Sequence, residues 1–295
     1  DTQMLPAMDD PETAVRNLYY AILSDQPALK YTYDLQVDMT GANLLHCTFS
    51  YMPYRTGAYP DSFAGAEVSD LPSLIQAAAA HISSGADTPI RITNPALTVD
   101  DMNSALQQVG GSYVLCQLNR DGTAVTYTPL NGLTDADSLS HLQQIDALAD
   151  AVVRDQTHST MSACEKAEAL YTYLTEYVRY DHRYYSEPQN MPYDSQTAYG
   201  ALHDGLAICG GYAQALQILF EKAGIPCYTV SGRMGSEYHM WNIAYLDGAW
   251  RYFDATSDRG RADYWFNYFN VSADQLTRYM WDQRFVTLLT SQRVG

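Results

Sequence analysis

The feature that most constrains this chain of 295 residues is a pair of aromatic-rich segments, 239–246 and 249–256, that flank Asp247-Gly248. An Asp-Gly pair between two such segments predicts a two-residue β-hairpin. A loop of only those two residues makes His239 and Asp254 diagonal neighbours on one face, close enough for an imidazole and a carboxylate to interact. A register shift of one residue would turn one of them away.

Cys209 precedes this hairpin, at the predicted start of a helix over residues 211–223. Apolar residues recur there at helical spacing, and Gly224 ends the segment. Gly210 and Gly211 supply the permissive backbone that a tight turn needs. Free N–H groups and the positive end of the helix dipole would stabilise a thiolate at Cys209, and the same groups could donate to an oxyanion.

Cys209, His239 and Asp254 are the three groups that a thiolate nucleophile needs. The imidazole would take the thiol proton, and the carboxylate would hold the other ring nitrogen and fix its tautomer. Each residue alone has a plainer explanation: an inert buried cysteine, a half-buried strand histidine and a solvated carboxylate at a strand end. Their occurrence together, at a helix start and on neighbouring strands, favours a catalytic triad.

Further motifs accompany the three residues over residues 160–270. In chain order they are Tyr180-Asp181, Ala198-Tyr-Gly-Ala-Leu202, Cys209-Gly-Gly-Tyr-Ala213, Ala223-Gly-Ile-Pro-Cys227, His239-Met-Trp-Asn242 and Asp254-Ala-Thr256. This pattern resembles the transglutaminase-like domain of secreted proteins from Gram-positive bacteria. The resemblance implies an α+β fold with a papain-like catalytic domain, in which a helix carries the cysteine and an antiparallel sheet carries the histidine and the aspartate. It implies Cys209 as nucleophile, His239 as general acid and base, and Asp254 as the orienting carboxylate.

The donors to the oxyanion remain open at this point. Papain-type enzymes use a glutamine upstream of the cysteine, so Gln196 is the first side-chain candidate, although a solvated loop glutamine is the plainer explanation. The backbone N–H of Gly210 is a second candidate. Trp241 and Asn242 are candidates for positioning substrate or ordering His239, or for plain packing.

Composition limits the classes of partner and cofactor. A net charge of −17 argues against nucleic acid, and no apolar run is long enough for a transmembrane helix. The five cysteines show no ligand spacing for zinc and the carboxylates form no dense calcium loop, so no metal and no other cofactor is predicted. A disulfide between Cys47 and Cys116 is left open, and the sequence does not indicate an oligomeric state.

The chain is expected to form two domains, an N-terminal α+β domain over residues 1–134 and the catalytic domain over residues 135–295, with a linker near residues 131–135. Asp10 should cap the first helix. The buried stripe of that helix is expected to be Val15, Leu18, Tyr19 and Ile22. Strands should follow over residues 29–40 and 44–52 with a turn at 41–43, and the aromatic stretch 263–286 should pack on the catalytic domain.

The function expected from the sequence is thiol-dependent acyl transfer on amide bonds. Water as acceptor gives a cysteine peptidase or amidase acting on extracellular protein or cell-wall peptide, and an amine gives a crosslinking transglutaminase. Hydrolysis is favoured, because no dedicated acceptor site that excludes water is recognisable. A non-catalytic binding module is the alternative from another class, and scattered carboxylates disfavour a calcium-dependent crosslinker. The first residue is Asp1, not methionine, which predicts a removed leader and an extracellular or cell-surface location.

Overall fold

A computed structural model describes residues 9–40, 44–56, 59, 62–261 and 265–291. The chain has an α+β fold, as its sequence predicts. The turn predicted at residues 41–43 and part of the predicted aromatic stretch, residues 263–264, lie outside the described residues. The helices are α1 Pro11–Asp25, α2 Pro53–Thr56, α3 Leu71–Ala79, α4 Val99–Leu106, α5 Asp135–Gln156, α6 Ala163–Tyr177, α7 Arg183–Ser186, α8 Cys209–Lys222, α9 Ala255–Asp258 and α10 Gln283–Leu289. The strands are β1 Thr32–Thr40, β2 Leu44–Tyr51, β3 Ala66–Val68, β4 Thr88–Ile92, β5 Val114–Leu118, β6 Ala124–Pro129, β7 Arg179–Tyr180, β8 Leu206–Ala207, β9 Cys227–Met234, β10 Glu237–Leu246, β11 Ala249–Phe253 and β12 Tyr279–Trp281.

The N-terminal part is built around a four-stranded sheet in the order β3-β4-β6-β5. Its apolar residues alternate along the strands and face helices α3 and α4, which present matching apolar stripes. The core between these layers includes fully buried Val68, Leu74, Ile90, Met102 and Val125. Strands β1 and β2 form a separate antiparallel ribbon.

Helix α1 buries less of its surface than its sequence pattern predicts. Tyr19 is 8% exposed and packs on the β1–β2 ribbon, and Val15 is half-buried there. Leu18 and Ile22 are 60% and 41% exposed, so their predicted burial is wrong. The reason is the width of the partner, because a two-stranded ribbon covers only one side of the helix.

Helix α8 lies at the centre of the second core. Its residues Leu216, Leu219 and Phe220 are fully buried and pack with Leu170 and Leu174 of helix α6. On its other side lies the antiparallel sheet β11-β10-β9-β12. Packing against helix α6 and this sheet therefore holds the helix that carries the cysteine.

The β10–β11 hairpin has the register that its Asp-Gly loop predicts. Leu246 pairs with Ala249, and the ladder continues to the pair of Asn242 with Phe253. Asp247 has a φ of 50° and Gly248 a φ of 84°, the left-handed conformations that such a tight turn requires.

The C-terminal segment connects the two cores. Strand β12 pairs with β9, and helix α10 then packs on the N-terminal core, where Leu289 is fully buried. Arg284 donates to both carboxylate oxygens of Asp101, at 2.7 Å and 2.8 Å. The described aromatic residues Phe266 and Phe269 pack edge-on against Tyr171, as predicted for this stretch. The domain boundary at residue 134 stays a prediction.

Truncation of Leu170 should separate core packing from surface burial. Leu170→Ala is expected to lower the free energy of unfolding by about 2–5 kcal/mol, because it leaves a cavity in the second core. The matched control Leu18→Ala should change it by less than about 0.5 kcal/mol, because that side chain is mostly solvated. Urea denaturation followed by circular dichroism measures both. A large loss for Leu18→Ala would mean that α1 packs differently from this account.

Candidate active site

Cys209 is the first residue of helix α8, where the sequence places it. Ile208 occupies the N-cap position and makes no side-chain capping bond, so the N–H groups of the first turn are left available. The first helical hydrogen bond runs from Tyr212 N to Ile208 O at 3.2 Å. Available donors and the helix dipole together favour negative charge at Cys209.

Gly210 and Gly211 are needed for space. Both lie inside the helix, and neither has a positive φ. A Cβ on Gly211 would lie 2.7 Å from the Thr197 carbonyl oxygen, and one on Gly210 would lie 3.1 Å from the Gln196 carbonyl oxygen. The interpretation of these glycines as turn residues is therefore wrong, since they let the 193–197 turn pack directly on the start of the helix.

His239 and Asp254 meet as the hairpin register predicts. His239 Nε2 lies 2.7 Å from Asp254 Oδ2, and the two side chains are 8% and 1% exposed. Because the carboxylate occupies Nε2, Nδ1 is the nitrogen left for the sulfur of Cys209. Asp254 also caps the short helix α9 through Ser257 N, at 3.0 Å.

The electrostatic environment favours the charged forms of the His239 imidazole and the Asp254 carboxyl group. Burial lowers the pKa of His239, but hydrogen bonding and charge from Asp254 and Cys209 outweigh it and raise the pKa from 6.5 to about 10. Burial raises the pKa of Asp254, but His239, Tyr279 and Ser257 outweigh it and hold this pKa below 3.8. At neutral pH the pair is therefore an imidazolium and a carboxylate.

The pKa shifts of His239 and Asp254 define the pH range in which this ion pair stabilises the fold. The raised pKa of His239 means that its contribution is complete below about pH 6.5 and is lost as the pH rises through about 10. The lowered pKa of Asp254 means that its contribution is present above pH 3.8 and is lost as the pH falls through the folded value.

Tyr279 and Ser257 belong to the site, and sequence reasoning missed both. The Tyr279 hydroxyl donates to Asp254 Oδ2 at 2.6 Å, and Ser257 Oγ donates to the same oxygen at 2.7 Å. Ser257 follows Asp254 by three residues, a capping spacing that could have been recognised. Tyr279 comes from a distant strand and has no local signal in the sequence.

Cys209 and His239 face a common cleft of about 640 Å³. Gln196 and Gly210 also line it, so both oxyanion candidates share the cleft with the thiol. The complete lining is Ser112, Tyr184, Gln196, Ile208, Cys209, Gly210, Gln214, Ser231, Gly232, Arg233, Tyr238, His239 and Met240.

Trp241 does not line the cleft. It is 1% exposed, and its ring stacks on that of His239 with 5.9 Å between centroids. Trp241 packs behind His239 and supports its ring, and it does not reach the cleft where substrate would bind. The neighbouring Asn242 is also buried and donates to the Ala213 carbonyl at 2.8 Å, which ties β10 to helix α8.

The N-terminal part forms one wall of the cleft through Ser112. The Ser112 hydroxyl accepts a hydrogen bond from Gln214 Nε2 at 2.7 Å. The adjacent Tyr113 donates to Asp194 Oδ1 at 2.6 Å, on the turn that carries Gln196. The position of Gln196 therefore depends on contacts from the N-terminal part of the chain.

The described residues offer no cluster for metal binding, no disulfide bond and no membrane-spanning helix. Within the described ranges, no group of three or more His, Cys, Asp or Glu side chains is arranged to hold a metal ion. All five cysteines are free thiols, so Cys47 and Cys116 do not pair. No described helix combines the length and the apolarity needed to cross a membrane.

Alkylation at pH 6 should single out Cys209. Cys164 is also half-buried and serves as the internal control, because burial and nearby acidic groups raise its pKa. Iodoacetamide is expected to modify Cys209 faster, as peptide mass spectrometry of one sample can measure. His239→Ala should slow this reaction by roughly tenfold or more, because it removes the positive charge that faces the sulfur. Equal rates for the two cysteines in the wild type would contradict an activated thiol.

This chain resembles known proteins over part of its length. A family model described as the transglutaminase-like superfamily matches residues 146–255, a segment that contains Cys209, His239 and Asp254. Human kyphoscoliosis peptidase is 25% identical over 126 residues, which are 39% of this chain and 19% of the human protein. The mouse protein of the same name is 25% identical over 124 residues, 38% of this chain and 18% of its own length. The chain thus spans about a fifth of the length of these relatives.

A crystal structure of a TGase is similar over 58% of this chain and 51% of its own, with 16% identity and a TM-score of 0.35. Residues 146–255 of this chain thus match the transglutaminase-like superfamily, the family that the sequence motifs resemble.

Proposed function

We propose that this protein is a cysteine peptidase or amidase that hydrolyses amide bonds in protein or peptide substrates through Cys209, His239 and Asp254. The observation that carries the proposal is the thiol at an uncapped helix start, beside a buried imidazolium–carboxylate pair, in an open cleft. A structural histidine–aspartate pair would not need a cysteine facing the same cleft.

The reaction follows from these positions. The Cys209 thiolate attacks the carbonyl carbon of the amide, a C–S bond forms, and the developing oxyanion is held by the Gly210 N–H and the Gln196 amide. His239 gives its proton to the leaving amine as the C–N bond breaks, which leaves a thioester. Water then attacks the thioester, His239 takes its proton, and the carboxylic acid leaves as the thiolate is regenerated. Asp254 keeps the imidazole oriented throughout.

Hydrolysis is supported over transfer to an amine by access to water. Cys209 is half-buried in a cleft that also contains exposed groups such as Arg233 and Tyr238. Transamidation requires that an amine outcompete water at the thioester, which is helped by a closed site. The name of the human relative, a peptidase, points the same way, although the match covers a small part of that protein.

The substrate class is proposed as extracellular protein or cell-wall peptide. This part rests on the resemblance to secreted bacterial domains. The net charge of −17 supports partners other than nucleic acid, since phosphate backbones are bound through Lys and Arg.

Incubation with a peptide library tests the proposal. The wild type is expected to cleave amide bonds, and Cys209→Ala should show no cleavage above background. A fluorescent primary amine in the same mixture reports the acceptor, and cleavage without amine incorporation is the expected result. A chelator should leave the rate unchanged, because no metal takes part in the proposed steps. Incorporation in place of cleavage would identify a transglutaminase, and binding without turnover would favour the binding module.

Gln196→Ala should test the side-chain donor to the oxyanion. The variant is expected to lower kcat by roughly 10²–10³, the loss typical of removing one such donor, with a smaller change in KM. Gln189→Ala is the matched control, since this nearby glutamine is exposed and outside the cleft lining. Steady-state kinetics on one cleaved peptide measures both. An unchanged kcat for Gln196→Ala would leave the backbone N–H groups as the donors.

A further inference from the structure

The Asp254 carboxylate is held by more donors than the orientation of a histidine requires. We infer that Tyr279 and Ser257 are positioning residues that keep Asp254 ionised, and through it keep His239 charged and oriented. The inference rests on the proposed function for its consequence in catalysis, and the contacts themselves are independent of it.

Three side chains converge on one oxygen. Asp254 Oδ2 lies 2.7 Å from His239 Nε2, 2.6 Å from the Tyr279 hydroxyl and 2.7 Å from Ser257 Oγ. The carboxylate is 1% exposed, so water does not contribute comparable hydrogen bonds. A proton on this oxygen would force at least one donor to move away, whereas the ionised form accepts all of them.

Tyr279 can act only as a donor to Asp254. Burial raises its pKa, and the charge of Asp254 raises it further, so the hydroxyl keeps its proton over the working pH range. A charge-assisted hydrogen bond of this kind is stronger than one between neutral groups. The tyrosine therefore stabilises the charged state of Asp254 specifically, as well as filling space beside it.

The fold fixes Tyr279 from two sides. Strand β12 places it opposite Met234 of strand β9, and its ring packs edge-on against Trp241 with 5.1 Å between centroids. This close docking depends on Gly232, where a Cβ would lie 2.1 Å from the Met280 carbonyl oxygen. Any larger residue at position 232 would push β12, and Tyr279 with it, away from Asp254.

Tyr279 also lies outside the segment that matches the superfamily model, which ends at residue 255. Helix α10 follows β12 directly and is anchored on the N-terminal core by Leu289 and by the bond from Arg284 to Asp101. The charge state of the candidate catalytic carboxylate is thus tied to a C-terminal segment that the family match does not include.

Other titratable groups near Asp254 and His239 do not replace this role. Cys209 faces His239 from helix α8 and helps to keep it charged. Asp258 and Tyr171 form a neighbouring buried pair, in which the Tyr171 hydroxyl donates to Asp258 Oδ2 at 2.8 Å. Burial raises the pKa of Asp258, and the charge of Asp254 adds to it, so this neighbour opposes the ionisation of Asp254.

A titration of the His239 ring by nuclear magnetic resonance tests the inference without any need for turnover. Tyr279→Phe keeps the ring and removes the donor, and the His239 midpoint is expected to fall by roughly 0.5–1 pH unit. Tyr245→Phe is the matched control, because this half-buried tyrosine of β10 packs on Trp250 at the far end of the hairpin. Its midpoint should equal that of the wild type. An unchanged midpoint in Tyr279→Phe would overturn the inference for Tyr279.

Two further variants guard against an effect on folding alone. Ser257→Ala removes the second donor with little change in volume and should also lower the midpoint. In an Asp254→Asn background, Tyr279→Phe should have no further effect on the midpoint, because the charge it acts on is gone. A shift of the same size in that background would mean a general structural role and would contradict the inference. If the midpoints shift as expected but no amide is cleaved, the proposed function fails and the positioning role stands.

Discussion

The buried hydrogen bond between His239 and Asp254 is the interaction on which the rest of the site depends. Burying a charged carboxylate costs free energy unless the charge is paired and hydrogen-bonded. The Asp254 carboxylate accepts hydrogen bonds from the His239 imidazolium, the hydroxyls of Tyr279 and Ser257, and the backbone N–H of Ser257. The charge that results on His239 is what can stabilise a thiolate on the facing helix. Removing the carboxylate would leave Nε2 of the buried histidine without its partner and would weaken the positive charge that faces Cys209.

Local sequence signals predict those parts of the site whose residues lie close together in the chain. The Asp-Gly loop sets the hairpin register, and His239 and Asp254 meet just beyond its last pair, Asn242 with Phe253. The helix start at Cys209 followed from apolar spacing and from the glycine that ends the segment. These elements are determined within short stretches, where turn chemistry and periodicity dominate.

The remaining parts depend on contacts between distant segments. Tyr279 reaches Asp254 from a strand that has no local relation to it, and Ser112 enters the cleft from the N-terminal part. Periodicity predicts that Leu18 is buried, but it is 60% exposed, because burial also depends on how much of the helix its partner surface covers. Gly211 is a further example, because the space beside its Cα is filled by the 193–197 turn, which no signal next to Gly211 in the sequence indicates.

If Cys209 is the nucleophile, a covalent acyl intermediate forms on its sulfur and can be trapped. A cleaved peptide mixed with the wild type, quenched in acid within milliseconds and analysed by mass spectrometry should give an adduct on Cys209. The adduct mass should equal that of the acyl part of the peptide, and hydroxylamine should release it as expected for a thioester. Cleavage that proceeds without any adduct on Cys209, or with an adduct on another residue, would show that Cys209 is not the nucleophile.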